Sequence, residues 1–364
     1  MNLLVVMKRF GANKDMVLGN FGRQIRLFEP LAKKHKIDFF CPDYVKKESF
    51  EAVKNKIKYI IRPASLLKCI SLLKSLNSIV KQEKYDAIVA TTDPIIGILC
   101  YNISKKYNIP LIYDLQDNFE SYGSYKIPFV RRLDRKALKD ADAVLAVSKT
   151  LKEHISKIRK KPVYVINNGI ESDLFKPINK DIARKKLCLP LKSKIIVYMG
   201  HLEKLKGGLL LLNAFRIVRK KIPDCYLLIS GKIEQGIDIS QKNIIFRDFP
   251  KREEVVLGIN SGDVAVLPNT LNNFTKYCFP YKLIEYMACG VPIVATDIGD
   301  VSLALKKYHG SLCMPNDIND LAEKIIMQLG KSRKVDYGEE VKSRKWSALA
   351  GKVDKVLSKV IKIR

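Results

Sequence analysis

The sequence contains no long hydrophobic run. No apolar stretch approaches the roughly 18 uncharged residues that a membrane-spanning helix needs, and the apolar part of the beginning, residues 3–7, is too short for a signal peptide. No CxxC pair occurs among the eight cysteines, most of which lie in apolar stretches. We therefore expect a cytoplasmic protein whose cysteines are reduced core residues, not a zinc site or a disulfide framework.

Acidic residues are few relative to basic ones. The chain has 37 Asp and Glu against 66 Lys and Arg, which gives a formal net charge of +29. Such a charge attracts nucleic acid, anionic lipid or polyanionic substrates. The excess is spread along the chain, without an arginine-rich tail, an RNA-binding aromatic signature or zinc spacing, so we expect no nucleic-acid partner. Two explanations stay open: an anionic partner, or a composition biased toward lysine, isoleucine and asparagine.

At 364 residues the chain is longer than one hydrophobic core usually supports. In its first half, short apolar strands alternate with helix-period stretches, and a loop holding Gly11, Gly19 and Gly22 follows the first strand. The expected strands are 3–7, 37–41, 87–90, 111–113 and 143–147, and the expected helices are 24–36 and 64–83. This alternation predicts a parallel sheet with helices on both faces.

A second alternating series follows the Asn167-Asn168-Gly169 turn. Its expected strands are 195–199, 226–230, 244–246, 264–267 and 293–295, and its expected helices include 209–221, 281–288 and a terminal helix at 340–363. We therefore predict an α/β protein with two doubly wound, Rossmann-like domains, 1–168 and 169–339, and a C-terminal segment, 340–364. Open parallel sheets bind ligands beyond the carboxyl ends of their strands, so the chemistry is expected in the loops there.

The segment YMGHLEKLKGGLLLLNAF, residues 198–215, has the outline of an anion site. A strand ends at Gly200 and a helix starts near Gly207 and Gly208. Glycines let a ligand approach the backbone, the helix N-terminus offers N–H groups, and Lys206 adds a full positive charge. Charge statistics alone favour a solvated lysine, because lysines are so numerous in this chain.

The segment CFPYKLIEYMACGVPIVAT, residues 278–296, places Pro280 at the start of a helix. Lys282 and Glu285 are three residues apart and share a helical face. A lysine in the first turn is unusual, and an external phosphate would rationalise it. The carboxylate one turn later could accept hydrogen bonds from the two hydroxyls of a ribose. From these residues alone, a surface ion pair is an equal alternative.

Several segments together resemble the glycosyltransferase family 4 group of GT-B enzymes. EYMACGVPIVATDIGD resembles the donor-site helix and following strand of that family, and VINNGIESDLFKP its interdomain segment. DADAVLAVSKTLKEHI, VYMGHLEKLKGG and SLCMPNDINDLAEKI match recurring segments in order and spacing. The resemblance runs from the first strand to Trp346, is most specific in EYMACG and is loosest at the N-terminal end.

The resemblance implies two domains that face a cleft in which the reaction takes place. The second domain would bind a nucleotide-sugar donor, the first an acceptor, and the C-terminal helix would cross back to the first domain. Lys206 and Gly207 would contact the diphosphate, and Lys282 would lie near it. Glu285 would bind the donor ribose, and the loop that contains Phe249 would lie against the base.

Three positions depart from the family pattern. The family usually carries a first glutamate eight positions before the second, and this chain has Tyr277 there. His201 replaces a common diphosphate-binding arginine, and Lys282, in a P-x-K arrangement, is interpreted as compensating. In the first domain, on the side expected to include Gly22, this chain has Gln116-Asp117 where the family frequently has a His-Asp pair.

The resemblance further implies a retaining, metal-independent hexosyltransferase-like enzyme without a cofactor. Its acceptor would be lipid-linked or a surface glycan, and we assign no catalytic base. Asp140 and Asp142 form a DxD pattern that is interpreted as polarity at a helix end, not as a metal site. Two alternatives stay open: a sugar-nucleotide epimerase on the same architecture and, because of the departures, a non-catalytic GT-B-like protein that binds a membrane or another partner.

A membrane-binding hypothesis concerns residues 62–84, which are basic and amphipathic. Lys68, Lys74 and Lys81 lie beside an apolar face in this segment and could place the enzyme on an anionic membrane, as a peripheral protein of the inner membrane face. The alternative is that this helix only covers the first sheet, since its leucines would be needed for packing.

Overall fold

The computed structural model describes residues 1–11, 14–65, 69–331 and 334–362, with only the backbone described at 69 and 70. The chain forms two compact units. Unit 1 contains Met1–Asn167 together with Trp346–Arg364, and unit 2 contains Asn168–Lys345. The first boundary lies one residue before the 168/169 division expected from the sequence, and the second follows Lys345, later than the expected 339/340.

Unit 1 is built on a twisted, mostly parallel sheet. The strands are β1 (Asn2–Val6), β2 (Phe10–Gly11), β3 (Lys14–Asp15), β4 (Lys36–Asp43), β5 (Phe50–Lys54), β6 (Ile57–Pro63), β7 (Ala87–Thr91), β8 (Leu111–Leu115), β9 (Ala143–Ala146) and β10 (Val163–Val165). The eight-stranded sheet has the order β10-β9-β8-β7-β1-β4-β6-β5, and β2 pairs with β3 separately. Only the edge strand β5 is antiparallel to its neighbour in this sheet. The strand order reverses between β1 and β7, where ligands bind in doubly wound folds.

Unit 2 contains a fully parallel sheet of six strands. These are β11 (Lys194–Met199), β12 (Cys225–Ser230), β13 (Ile244–Phe246), β14 (Val264–Leu267), β15 (Ile293–Thr296) and β16 (Leu312–Cys313). Their order, β13-β12-β11-β14-β15-β16, is that of the Rossmann fold. The reversal point lies between β11 and β14.

Helices connect the strands of both units. In chain order they are α1 (Arg23–Phe28), α2 (Cys69–Gln82), α3 (Pro94–Tyr107), α4 (Val130–Asp140), α5 (Lys149–Ser156), α6 (Lys180–Lys186), α7 (Gly208–Lys221), α8 (Arg252–Asn260), α9 (Tyr281–Ala288), α10 (Gly299–Leu305), α11 (Ile318–Leu329), α12 (Gly338–Ser343) and α13 (Trp346–Lys362). The prediction of two doubly wound, Rossmann-like α/β domains is confirmed. Over the described ranges, the structure contains no helix with the length and apolar character needed to cross a bilayer.

The C-terminal helix α13 belongs to unit 1. Its apolar stripe, which includes Trp346, Val353 and Leu357, is buried in the same core cluster as β1, β4 and α1. The ring nitrogen Nε2 of His35 lies 2.8 Å from Oδ1 of Asp354 and adds a polar tie. The expected helix over 340–363 is interrupted, because residues 344 and 345 pair with the backbone of residue 170 in an isolated bridge.

The seven cysteines whose side chains are described are free thiols, as expected. Six of them are buried, but Cys188 is exposed. The side chain of Cys69 and the residue Lys68 lie outside the described part of the chain.

Candidate functional site

The loop after β11 forms one wall of the candidate site in unit 2. Its shape depends on two glycines in the left-handed region, Gly200 at φ +112° and Gly207 at φ +79°. A Cβ atom at Gly207 would lie 1.7 Å from the carbonyl oxygen of Pro268, and one at Gly200 would lie 2.6 Å from Cε of Lys282. Glycine is therefore required at 207 for the backbone to pass, and at 200 it leaves room for the side chain of Lys282.

Glu203 organises the polar groups of this loop. Its Oε1 lies 2.5 Å from Nδ1 of His201 and 3.1 Å from Nζ of Lys206. Its carbonyl oxygen accepts a hydrogen bond of 2.8 Å from the backbone N–H of Gly208, the first residue of α7. His201 and Lys206, both candidate diphosphate ligands, are thus held together by a carboxylate that the sequence analysis missed.

Lys282 reaches the same place from the first turn of α9. Its Nζ lies 3.8 Å from the ring centroid of Tyr198, close enough for a cation–π contact. Burial, together with the positive charge of Lys206, lowers the pKa of Lys282 to about 7, although Glu285 and Glu203 oppose the shift. Lys206 and Lys282 therefore lie close enough for their positive charges to repel each other.

Glu285 lies one turn further along α9 and is partly buried. Burial raises the pKa of its carboxyl group, and the positive charges of Arg252 and Lys282 partly oppose this. Among the described residues, its side chain makes no hydrogen bond or ion pair. The surface ion pair with Lys282, which the spacing left open, is therefore absent from the structure.

The start of α9 is suited to an anion. Its N-cap, Pro280, makes no side-chain hydrogen bond to the helix, and the first turn contains no acidic residue. The positive end of the helix dipole and Lys282 thus act together. Tyr277, at the position of the family's first glutamate, lies partly buried in the preceding loop.

Phe249 and Arg252 lie in the segment after β13, and the charge of Arg252 reaches Glu285. The ring of Phe249 is half-buried against α8, where a Cβ atom at Gly258 would lie 2.5 Å from its Cε2. Arg252 pairs with Glu171, and its guanidinium carbon lies 5.1 Å from the ring centroid of Phe175. Nothing in the sequence distinguished Arg252 from its charged neighbours, since its proximity to Glu285 arises only in the fold.

The predicted residues of the first domain lie near the carboxyl end of β8 in unit 1. Gly22 adopts a positive φ of +101° as N-cap of α1, and Gln24, two residues later, donates a hydrogen bond to Gln116. Oδ2 of Asp117 accepts a hydrogen bond of 2.8 Å from the hydroxyl of Tyr122. The structure thus links the Gly22 loop to Gln116 through Gln24, whereas Asp117 contacts Tyr122.

Beside them, sequence analysis missed a buried ion pair between Arg23 and Asp114, with Nη2 and Oδ1 2.8 Å apart. Nη1 of Arg23 also donates to the carbonyl oxygen of Asn167 over 2.8 Å. This pair anchors the first turn of α1 to the end of β8, and so fixes the loop that contains Gly22.

A cavity of about 740 Å³ opens at the strand-order reversal of unit 1. It is lined by Lys8, Phe10, Tyr44, Asp93, Ile95 and Ile127, among others. Lys8 forms an ion pair with Asp93 and lies over the ring of Tyr44 at 5.9 Å. This cavity, which we call the unit 1 cavity, is lined by the Lys8–Asp93 ion pair and by apolar side chains.

The two carboxylates of the DxD pattern have structural partners. Oδ2 of Asp140 accepts a hydrogen bond of 2.5 Å from the hydroxyl of Tyr101, and Oδ2 of Asp142 accepts one of 2.9 Å from the backbone N–H of Leu111. Both lie at the amino end of β9, away from the carboxyl edge of the sheet. Within the described ranges, no cluster of three or more His, Cys, Asp or Glu side chains could hold a metal ion.

Family models match both units. The model described as Glycosyltransferase Family 4 matches residues 25–174, and the model described as Glycosyl transferases group 1 matches residues 193–330. The two Rossmann-type units thus define a glycosyltransferase of the GT-B fold. The chain belongs to family 4 of these enzymes, the group 1 glycosyltransferases.

Individual relatives agree with this assignment. D-inositol 3-phosphate glycosyltransferase of Mycolicibacterium smegmatis is 27% identical over 44% of this chain and 38% of its own length. UDP-Gal:alpha-D-GlcNAc-diphosphoundecaprenol alpha-1,3-galactosyltransferase of Escherichia coli is 27% identical over 73% of this chain and 72% of its own. The match thus spans well under two thirds of the mycobacterial relative.

Among solved structures, HepE of Anabaena in complex with UDP has a TM-score of 0.77 and 18% identity, covering 99% of this chain and 100% of that one. At this identity the likeness shows the fold alone.

Proposed function

We propose that the protein is a retaining glycosyltransferase that moves a sugar from a nucleoside diphosphate-sugar to a hydroxyl of an acceptor. The observation that carries this proposal is the juxtaposition in unit 2 of two cations, Lys206 and Lys282, with Glu285, a carboxylate that makes no hydrogen bond or ion pair in the described chain. The cations suit a diphosphate, and the carboxylate suits the ribose diol one helical turn away.

In the proposed reaction, the bond between the anomeric carbon and the diphosphate oxygen breaks, and its electron pair leaves with the nucleoside diphosphate. The acceptor oxygen bonds to the anomeric carbon on the face from which the diphosphate left, and its proton passes to the departing phosphate. Lys206, Lys282 and His201, with the N–H groups at the starts of α7 and α9, stabilise the charge that develops on the leaving group. No residue is assigned as a base.

The donor base that we propose to test first is uracil. The names of the E. coli relative and of the HepE structure include UDP-Gal and UDP. In this chain, Glu285 would bind the ribose and Phe249 would lie against the base. Gly207 allows the backbone to approach the phosphates.

Unit 1 is proposed to bind the acceptor, with Gly22, Gln116 and Asp117 on its sugar side. The unit 1 cavity supports this, since a lysine beside apolar walls suits an acceptor with a phosphate and a lipid chain. The diphosphoundecaprenol acceptor named for the E. coli relative is of this class. We propose a peripheral location at the cytoplasmic face of the inner membrane and a role in glycan biosynthesis.

Binding and turnover tests separate this function from its alternatives. Calorimetric titration with UDP, GDP and ADP should identify one preferred nucleotide. The enzyme should then release this nucleotide from the corresponding sugar donor faster when a polyprenyl diphosphate-sugar acceptor is present than when it is absent. Catalysis should persist in excess EDTA, because protein cations take the role of a metal. Epimerised donor without acceptor would indicate an epimerase. The absence of any nucleotide binding would indicate the non-catalytic alternative, which Tyr277 and His201 motivate.

A further inference from the structure

Helix α4 carries a basic and apolar surface that the proposed transfer reaction does not use. The surface is a shallow groove lined by Phe129, Arg131, Arg132, Leu133, Arg135, Lys136 and Lys139. Phe129 is 74% exposed and Leu133 is 45% exposed, which is unusual for large apolar side chains close to each other. We call these residues the α4 surface.

The core of unit 1 does not need the exposed apolar residues. The inner face of α4 is formed by Val130, Asp134, Ala137 and Leu138, which are buried. Phe129 precedes the helix in the left-handed conformation, with φ +65°, which is uncommon for a residue other than glycine. The backbone therefore holds this ring on the outer side, among the cations.

The cations of the α4 surface are largely uncompensated. Arg135 pairs with Glu120 at 2.7 Å, but the other four cations have no acidic partner in the part of the chain that the structure describes. The acidic residues of the helix itself are engaged elsewhere. Asp134 is buried and accepts hydrogen bonds from Tyr113 and Tyr125, and Asp140 accepts one from Tyr101.

We propose that the α4 surface docks on an anionic phospholipid bilayer. Arg131, Arg132, Lys136 and Lys139 would contact lipid phosphates, and Phe129 and Leu133 would enter the boundary between headgroups and acyl chains. A soluble polyanion would use the cations but would leave the exposed apolar side chains without a role. The combination of cations with exposed apolar side chains therefore fits a bilayer better than a soluble polyanion.

The docking surface differs from the one predicted from the sequence. The hypothesis based on residues 62–84 requires an outward apolar face on α2, but Leu72, Leu76 and Val80 are buried. In the part of α2 whose side chains are described, from residue 71 onward, Lys74 and Lys81 are exposed while these apolar residues are buried, and Lys68 lies outside the described residues. The alternative given for that segment, packing against the sheet, agrees with this burial, and α2 therefore offers a matched control.

Docking through α4 would also bring the unit 1 cavity toward the lipid. Ile127 lines that cavity and Phe129 lines the α4 surface, two residues further along the chain. A lipid-linked acceptor could then enter the cavity from the bilayer. This consequence rests on the proposed function, whereas the docking itself does not.

Co-sedimentation of the full chain with vesicles tests the proposal. Vesicles of phosphatidylcholine and phosphatidylglycerol should bind the protein at low salt, and vesicles of phosphatidylcholine alone should not. Replacing Arg131, Arg132, Lys136 and Lys139 by Gln should lower binding by roughly two to three orders of magnitude, since each cation near an anionic surface contributes about fivefold. The control, with Lys74→Gln and Lys81→Gln, should lose much less.

A second variant distinguishes the bilayer from other polyanions. Phe129→Ser with Leu133→Ser keeps every charge and should still lower vesicle binding at least tenfold. Unchanged vesicle binding of this variant, or of the four-cation variant, would overturn the proposal. All these side chains are exposed, so both variants should have the melting temperature of the unchanged protein. UDP titration should also be unchanged in both variants, which keeps a failure of docking separate from a failure of the donor site.

Discussion

Replacing Glu285 with alanine tests the donor site most directly. In the described structure its carboxylate makes no hydrogen bond or ion pair, so the substitution leaves no buried partner unsatisfied. If it binds the ribose diol, the change removes charge-assisted hydrogen bonds that contribute roughly 1.5–3 kcal/mol, which weakens nucleotide binding about tenfold to a hundredfold.

Glu285→Ala should also weaken nucleotide binding through its effect on Lys282. The charge of Glu285 helps to keep the pKa of Lys282 as high as about 7. Without it, a smaller fraction of Lys282 carries a proton at neutral pH, and the diphosphate loses part of its attraction. The loss of affinity should therefore be larger at pH 8 than at pH 6. Glu285→Gln is the matched control, because it removes the charge but keeps a hydrogen-bond acceptor, and it should lose less affinity than alanine.

Folding should survive the substitution. The pKa of Glu285 is raised by burial, so its ionised form is less favourable in the folded state than in the unfolded state, and any stabilisation that it gives is lost as pH rises through the folded-state pKa. At neutral pH its removal should leave the melting temperature unchanged or slightly higher, and alanine also favours the helix. Calorimetric titration with UDP gives the decisive value. Unchanged affinity in a folded Glu285→Ala protein would refute the ribose assignment.

Two further predictions follow from the same site. The affinity for UDP should fall as pH rises above 7, because a bound diphosphate raises the pKa of Lys282 from about 7; titrations at about pH 7.5 to 8 in buffers of different ionisation enthalpy should detect the proton taken up, and Lys282→Met should abolish that uptake. Gly207→Ala should lower the melting temperature by several degrees, because its Cβ atom would lie 1.7 Å from a carbonyl oxygen at φ +79°; Gly351→Ala, where nothing lies within 4 Å of the new Cβ atom, should raise it slightly, and equal effects of the two would contradict the account of the loop.

Much of the fold follows from local sequence patterns. The expected strands 244–246 and 264–267 and the helix 281–288 coincide with β13, β14 and α9. Where prediction was wrong, a specific local event explains it. The helix expected over 24–36 ends at Phe28, since a short 3₁₀ turn containing Pro30 follows and the chain must enter β4 at Lys36.

The hairpin of β5 and β6 was missed for a different reason. Asn55 and Lys56, the two residues of its turn, both have positive φ, at +50° and +66°. This geometry usually carries glycine at the second position. With lysine there instead, the turn had no recognisable signal, although the flanking segments pair in antiparallel register from Phe50 with Ile61 to Lys54 with Ile57.

The partners of the candidate residues could not be predicted in the same way. Local pattern placed Lys282 and Glu285 on one helical face, but the positive charge of Arg252, which lowers the pKa of Glu285, comes from α8, 33 positions earlier in the sequence. Arg23 and Asp114 are separated by 91 positions. Such pairs depend on how elements distant in the sequence pack, and a single sequence carries no periodic signal for them. The binding roles of the site residues remain predictions.

The departures from the family pattern are consistent with the charges that the structure brings together. Glu203 already holds both His201 and Lys206. Because burial and Lys206 lower the pKa of Lys282 to about 7, Lys282 is only partly charged at neutral pH, and we expect it to become fully charged if a diphosphate binds beside it. Under the proposed function, Tyr277 in place of the family's first glutamate would remove a negative charge that opposes the diphosphate, and the proton gained by Lys282 would supply the attraction that an arginine at position 201 would otherwise provide.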